Sequence, residues 1–111
     1  MAAPKRGDLI WIDFTPQTGH EQAGRRPALV LSPRSYHQKT AFIIACPITS
    51  NLKEYPFEVV LPEGLPIKGA VLSDQIKSLD RHARKIEIVG RVPESVLDEV
   101  QAKIKTLIFE D

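Results

Sequence analysis

Short apolar runs, each cut off within nine residues by proline, glycine or charge, constrain this chain more than any other feature. They are Asp8 to Phe14 (DLIWIDF), Pro27 to Ser32 (PALVLS), Ala41 to Thr49 (AFIIACPIT), Phe57 to Leu61 (FEVVL), Gly69 to Ser73 (GAVLS) and Ile86 to Val92 (IEIVGRV). About six short strands with turn residues between them predict a small antiparallel barrel or sandwich. In the first run Ile10, Ile12 and Phe14 share one face and Leu9, Trp11 and Asp13 the other. Trp11, the one tryptophan, is expected in the core or at a subunit contact rather than stacked on a nucleobase. Pro47 cannot donate to a ladder, so its run should bend or reach a sheet edge there. Between the second and third runs SPRSYHQKT is turn-rich, with room for one short helical turn.

From Pro93 the period changes. Val96, Val100, Ile104, Leu107 and Ile108 recur at three- and four-residue intervals, which predicts an amphipathic helix. Pro93 suits a first turn and Ser95 with Asp98 resembles a capping pair, so the helix should start near residues 93 to 95 and fray near Phe109. A helix closing a small barrel makes the fold class all-β to α+β. At 111 residues, 42% of them apolar, the chain holds one core and is read as one domain. No apolar stretch approaches the roughly 18 to 20 residues that cross a bilayer. The start, MAAPKRGDL, lacks an apolar signal core, so the expectation is a cytoplasmic protein with no membrane contact. A single cysteine cannot build an internal disulfide framework, in keeping with a reducing compartment.

The net charge of +1 conceals a segregation. Residues 1–93 hold 13 Lys and Arg against 9 Asp and Glu, while residues 94–111 hold 2 against 5. A moderately basic body with an acidic tail fits a nucleic acid met by one face.

Three clusters carry chemistry. Gly19 to Leu31 (GHEQAGRRPALVL) packs a histidine, a carboxylate, an amide and two guanidiniums into a turn that runs into a strand. Arg26 offers a planar fork for two phosphate oxygens, and Arg25 can steer a polyanion or simply point to water. Glu21 and His20 can move protons. The same groups also make an ordinary polar loop, so the other clusters decide. In Pro47-Ile48-Thr49-Ser50-Asn51 a strand ends in hydroxyls and an amide; Thr49 would serve a phosphate beside Arg26 if the two strands were neighbours. Ser73-Asp74-Gln75 precedes Lys77, Arg81, Arg84 and Lys85, four cations within nine residues offset only by Asp80, a plausible strip for a nucleic-acid backbone. His20, His37, His82 and Cys46 lack the paired spacing of zinc ligands, so neither metal nor cofactor is expected. Cys46 reads as core, and His82 as a phosphate contact or a plain surface residue.

Taken in order, RGDLIWIDFTP, GHEQAGRRPALVLSP, ACPITS, YPFEVVLP, GAVLSDQIKSLDRHAR and the helix after VPESVLDEV resemble the MazF/PemK family of toxin-antitoxin ribonucleases over nearly the whole chain. The resemblance implies an SH3-like antiparallel β-barrel with a C-terminal α-helix, assembled as a homodimer that lays single-stranded RNA across both subunits. It implies metal-independent cleavage by attack of the 2'-hydroxyl on its own phosphate, leaving a 2',3'-cyclic phosphate and a 5'-hydroxyl. Arg26 falls on the family's motif arginine and Thr49 on its threonine. Arg26 can stabilise charge, but a guanidinium holds its protons too firmly to carry them; Glu21 and His20 are better suited as acid or base if they lie within hydrogen-bond reach, with His20 and Asp74 ranked behind Arg26 and Thr49. A variant within the family pairs an aspartate with an arginine two residues before it. Asp74 matches the aspartate, yet the arginine position is Leu72. Arg26 and Thr49 therefore come first, and Asp74 with Gln75 can instead read base edges or hold the loop. Arg25, Ser50, Asn51, Lys77, Arg81 and Arg84 are the further candidates for RNA contact.

The implied partner is a cognate antitoxin with an acidic, partly disordered C-terminal segment that covers the RNA site. A rival function is a noncatalytic toxin of the same fold that binds DNA gyrase; the GHEQAGRRP loop together with Thr49 argues against it. An inactive decoy for antitoxins is a third.

Overall fold

The computed structural model describes residues 3–14 and 24–110. In chain order they form β1 (Asp8–Asp13), β2 (Arg25–Val30), α1 (Arg34–Lys39), β3 (Phe42–Thr49), β4 (Glu58–Val60), β5 (Ala70–Leu72), β6 (Lys77–Asp80), β7 (Glu87–Arg91) and α2 (Glu94–Phe109). All six expected strands are present, with ends moved by one or two residues. The seventh, β6, lies inside the stretch read from sequence as a cationic strip. Leu79 is its one buried residue, too little apolar signal to mark a strand.

The strands form one antiparallel sheet in the order β4-β5-β3-β2-β1-β7, with β6 also paired to β3. No hydrogen-bonded ladder joins β4 to β7 among the described residues, so the expected barrel is a curved sheet rather than a closed cylinder. β1 is buried on both faces. Leu9 packs with Leu29, Ile48 and Val59 beneath α2, while Ile10, Ile12 and Phe14 pack with Ala28, Val30 and Ile43. Helix α2 buries Val96, Leu97 and Val100, each worth about 1.5–3 kcal/mol. Pro93 occupies its N-cap with no side-chain cap, so Ser95 and Asp98 do not form the expected capping pair. Val96 N–H instead donates to Pro93 O at 3.0 Å. No helix among the described residues is long and apolar enough to cross a membrane.

Strand β3 organises the sheet. Along one edge it pairs β2 through Ala28↔Pro47, Leu29↔Cys46 and Val30↔Ala45. Along the other it pairs β6 from Phe42 to Ala45 and β5 at Ile48 and Thr49. The bond from Leu31 N–H to Ile44 O, 2.8 Å, sets the phase. Backbone groups of Ile44 and, by alternation, Cys46 point at β2, and Pro47 faces the β5–β6 edge, where it has no N–H to offer. The ladder opens there. Five residues, Leu72 to Ile76, span the interval that β3 crosses in two, Cys46 and Pro47. Pro47 thus does not sit at a sheet edge; the ladder is interrupted there by a large bulge in the strand opposite. Gly69 allows the close pass just beyond it: φ is +130°, and a Cβ there would lie 2.1 Å from Thr49 O.

The segment expected to hold one helical turn is α1, and its His37 is fully buried. His37 Nδ1 contacts Pro4 O at 2.8 Å and Nε2 contacts Ser32 Oγ, which accepts from Ile44 N–H at 2.8 Å. These partners suit the neutral tautomer with Nδ1 protonated. Arg81 Nη2 donates to His37 O at 2.9 Å and Arg34 Nε to Ala3 O at 3.1 Å, so this network ties the N-terminal segment to the sheet.

Burial holds the His37 pKa below 6.5, and the Arg81 charge adds to the effect, outweighing the Pro4 carbonyl. The unfolded chain then takes up a proton that the folded chain resists. The stabilisation is complete above about pH 6.5 and is lost as pH falls from there through the folded-state value. Urea midpoints should drop between pH 7.5 and 5.5, and His37→Asn should show a shallower drop from a lower starting point. Equal slopes would remove His37 from this role.

Candidate active site

The bulge throws Asp74 and Gln75 out of the ladder towards the C-terminal end of β3. There they line a cleft with Thr49, Asn51, Tyr55 and Glu58. Glu58, the first residue of β4, holds the opposite wall: its carboxylate accepts Lys53 N–H at 3.2 Å and Tyr55 N–H at 3.4 Å. Asn51 N–H donates to Thr49 Oγ1 at 3.1 Å, so the hydroxyl proton of Thr49 remains available for an acceptor in the cleft. Tyr55 Oη donates to Asp74 Oδ2 at 2.6 Å, a charge-assisted bond. Asp74 Oδ1 is buried with no hydrogen-bond partner among the described residues, so Oδ2 is the carboxylate's accessible edge. The Tyr55 ring meets Phe57 edge-on at 5.6 Å.

Arg25 and Arg26 open β2 and are exposed. With Ser50, Lys68 and Trp11 they line a second cleft, beside the first along Ile48 to Asn51. Trp11, expected in the core or at a subunit contact, is half-buried and lines this cleft. Arg25 Nη2 pairs with Glu87 Oε1 at 3.3 Å and Nη1 donates to Lys85 O at 3.0 Å. Continuing the β2–β3 register two residues past Ala28↔Pro47 sets Arg26 opposite Thr49, and directly opposed residues of antiparallel strands share a face. The two side chains nonetheless line adjoining clefts rather than one.

The remaining candidates are scattered. Lys77 is half-buried on β6, opposite Ala45. Arg81 is half-buried against α1 and Arg84 is half-buried as well, and none of the three lines either cleft. His20 and Glu21 lie outside the described residues. The ends of their loop are nevertheless placed, because Asp13 pairs with Arg25 and Phe14 N–H donates to Gly24 O at 2.8 Å, both beside the arginine cleft. Cys46 is buried, and burial together with the Asp74 charge pushes its thiol up to about 12, so it is not a nucleophile. Leu72 is buried on β5. Among the described residues no three His, Cys, Asp or Glu side chains converge to hold a metal. The sequence marked the loop from Asn51 to Tyr55 as one that shapes specificity without singling out the Tyr55 side chain, and Lys68 went unnoticed, because each reaches the site only through the turns that follow β3 and precede β5.

The bond to Asp74, with smaller help from desolvation, raises the Tyr55 phenol above its ordinary value of 10.0. Ultraviolet titration should show a phenol that ionises late, and Asp74→Asn should remove the delay. An unchanged curve in that variant would mean the bond does not form in solution.

The family model of the PemK-like, MazF-like toxins of type II toxin-antitoxin systems matches residues 5–108. The endoribonuclease toxin MazF of Escherichia coli K12 is 49% identical over 105 residues, covering 95% of this chain and 94% of that protein. The endoribonuclease PemK of Escherichia coli is 32% identical over 108 residues, covering 94% and 81%. A crystal structure of MazF from Deinococcus radiodurans superposes with a TM-score of 0.91 at 51% identity, over 95% of this chain and 96% of that one. A MazE-MazF crystal structure from the same organism matches at TM-score 0.85 and 44% identity, over 97% of both. Matched from Lys5 to Ile108 by one family model and identical at about half its positions to MazF toxins, this chain belongs to the PemK-like, MazF-like toxins of type II toxin-antitoxin systems.

Proposed function

We propose that this endoribonuclease toxin cuts single-stranded RNA without a metal ion, through attack of a ribose 2'-hydroxyl on the neighbouring phosphate. The products are a 2',3'-cyclic phosphate and a 5'-hydroxyl. One observation carries the reading: the β2–β3 register, which ends at Ala28↔Pro47 and, continued by two residues, sets Arg26 opposite Thr49, with the two residues lining neighbouring clefts. A phosphate bridging them meets the Arg26 guanidinium on one side and the Thr49 hydroxyl on the other. Arg25 and Lys68 add positive charge nearby. Such groups act on the charge that builds around phosphorus as the 2'-oxygen enters and the 5'-oxygen leaves.

Arginine keeps its protons near neutral pH, so the proton taken from the 2'-hydroxyl and the one given to the leaving oxygen need other carriers. His20 and Glu21 are of the side-chain types that exchange protons, and the described residues on either side of them, Phe14 and Gly24, lie next to Asp13 and Arg25 at the Arg26 end of β2. Ser50 and Asn51, with Asp74 and Gln75, contact the flanking nucleotides, while Lys77, Arg81 and Arg84 offer weaker, more distant charge.

A homodimer is supported by the apolar end of α2, where Leu107, Ile108 and Phe109 stand exposed. The MazE-MazF structures support a cognate antitoxin, and an acidic, partly disordered segment of it would answer the arginine cleft by charge. The protein is placed in the cytoplasm, where both RNA and antitoxin are met. Nothing among the relatives described above supports the gyrase-binding reading.

Arg26→Ala should lower the cleavage rate about a thousandfold while the circular dichroism spectrum stays that of the wild type. A folded Arg26→Ala protein that still cuts would remove Arg26 from the centre. Replacing the 2'-hydroxyl by hydrogen at the cut site should abolish cutting with EDTA present or absent, and cleavage of that analogue would discard the cyclic-phosphate route.

A further inference from the structure

The two adjoining clefts differ in charge. The arginine cleft presents Arg25, Arg26 and Lys68. Among the described residues its neighbour holds one cation, Lys53, against the carboxylates of Glu58 and Asp74. A phosphate is attracted to the first and repelled by the second. An uncharged group rich in hydrogen-bond donors has the opposite preference.

The acceptors in the second cleft are not equivalent. Glu58 is engaged by the N–H groups of Lys53 and Tyr55 and serves to hold the wall. Asp74 is held with Oδ1 buried and Oδ2 accepting the Tyr55 hydroxyl, which leaves a lone pair of Oδ2 for a ligand. The Gln75 and Asn51 side-chain amides, each both donor and acceptor, line the same cleft. Tyr55 is 43% exposed and offers an aromatic face at the rim.

We propose that this cleft reads one nucleobase of the RNA by its exocyclic amino group, which donates to Asp74 Oδ2 while the base stacks on Tyr55. The inference rests on the nuclease reading above and extends it to specificity. Cytosine and adenine place an acceptor ring nitrogen beside the amino group, within the repertoire of an amide such as Gln75, and guanine supplies a second N–H donor. Uracil is disfavoured: it has no amino group, and its one donor on that edge, N3–H, is flanked by two carbonyl oxygens that would confront the carboxylate. Tyr55 is a positioning residue: its hydroxyl fixes which way the Asp74 oxygen points.

The test begins by mapping cuts made by the wild-type protein in a long RNA. Short substrates around the strongest site are then made with single bases replaced by forms lacking the amino group: inosine for guanosine, purine riboside for adenosine, pyrimidin-2-one riboside for cytidine. At one position the replacement should lower kcat/KM by about ten- to a hundredfold. Asp74→Asn should shrink that penalty at the same position, and Tyr55→Phe should loosen it less. A wild-type protein indifferent to every replacement overturns the proposal, as does an Asp74→Asn protein with undiminished discrimination. A folded Asp74→Asn protein that cuts no RNA also overturns it, by moving Asp74 to the phosphate. Should Asp74→Asn fail to fold, the wild-type series and Tyr55→Phe decide the matter. A wild-type protein that cuts no RNA at all defeats the nuclease reading itself, and this inference falls with it.

Discussion

The missing N–H of Pro47 is the constraint on which the site depends. In a regular ladder the strand opposite β3 would run on from β6 into β5 without a break. At Pro47 there is no donor to continue it, and the opposite chain spends five residues, Leu72 to Ile76, where β3 spends two. The surplus carries Asp74 and Gln75 out of the sheet. They meet Thr49 and Asn51 beyond the strand end, in a cleft walled by the Glu58-held turn from Lys53 to Tyr55. A continuous ladder would have kept Asp74 in the sheet, away from Tyr55.

Pairing along the other edge of β3 supplies the second half of the site. Continued two residues past Ala28↔Pro47, the β2 register carries Arg26 to the level of Thr49, and the β1–β2 ladder sets Asp13 beside Arg25 at the same end of the sheet. Positive charge therefore collects on one side of Ile48 to Asn51 and acceptors on the other. This division matches the two parts of a nucleotide, an anionic phosphate and a neutral, donor-bearing base. It also assigns the carboxylate of Asp74 a part for which no arginine at position 72 is needed, since Leu72 is buried in the sheet.

Rigidity behind the site comes from both faces of the sheet. Leu9 and Ile10, neighbours on β1, enter different clusters of buried side chains, one under α2 and one on the opposite face. The His37 network closes the end of the sheet remote from Thr49 by linking Pro4, Ser32 and Arg81. A cleft built from turns at the strand ends can hold its geometry because the central strands beneath it are anchored by buried side chains on both faces.

The sequence by itself determined the six strands with strong apolar runs, the terminal helix and the family, because alternation, helical period and ordered motifs are written in neighbouring residues. It also marked Pro47 as a break. Strand β6 escaped notice, since KSLD shows one apolar residue and its pairing with Phe42 to Ala45 is not local. The strip from Lys77 to Arg84 read as exposed charge, yet its Arg81 is drawn inward by a carbonyl of α1 forty-four residues away. Likewise Trp11 read as core or subunit contact and lines a cleft with Arg26. Only the tertiary structure decided which cations face a cleft, that Tyr55 reaches Asp74, and how the two clefts divide charge. Those outcomes depend on register between strands distant in the chain, a quantity that periodicity within a segment does not encode.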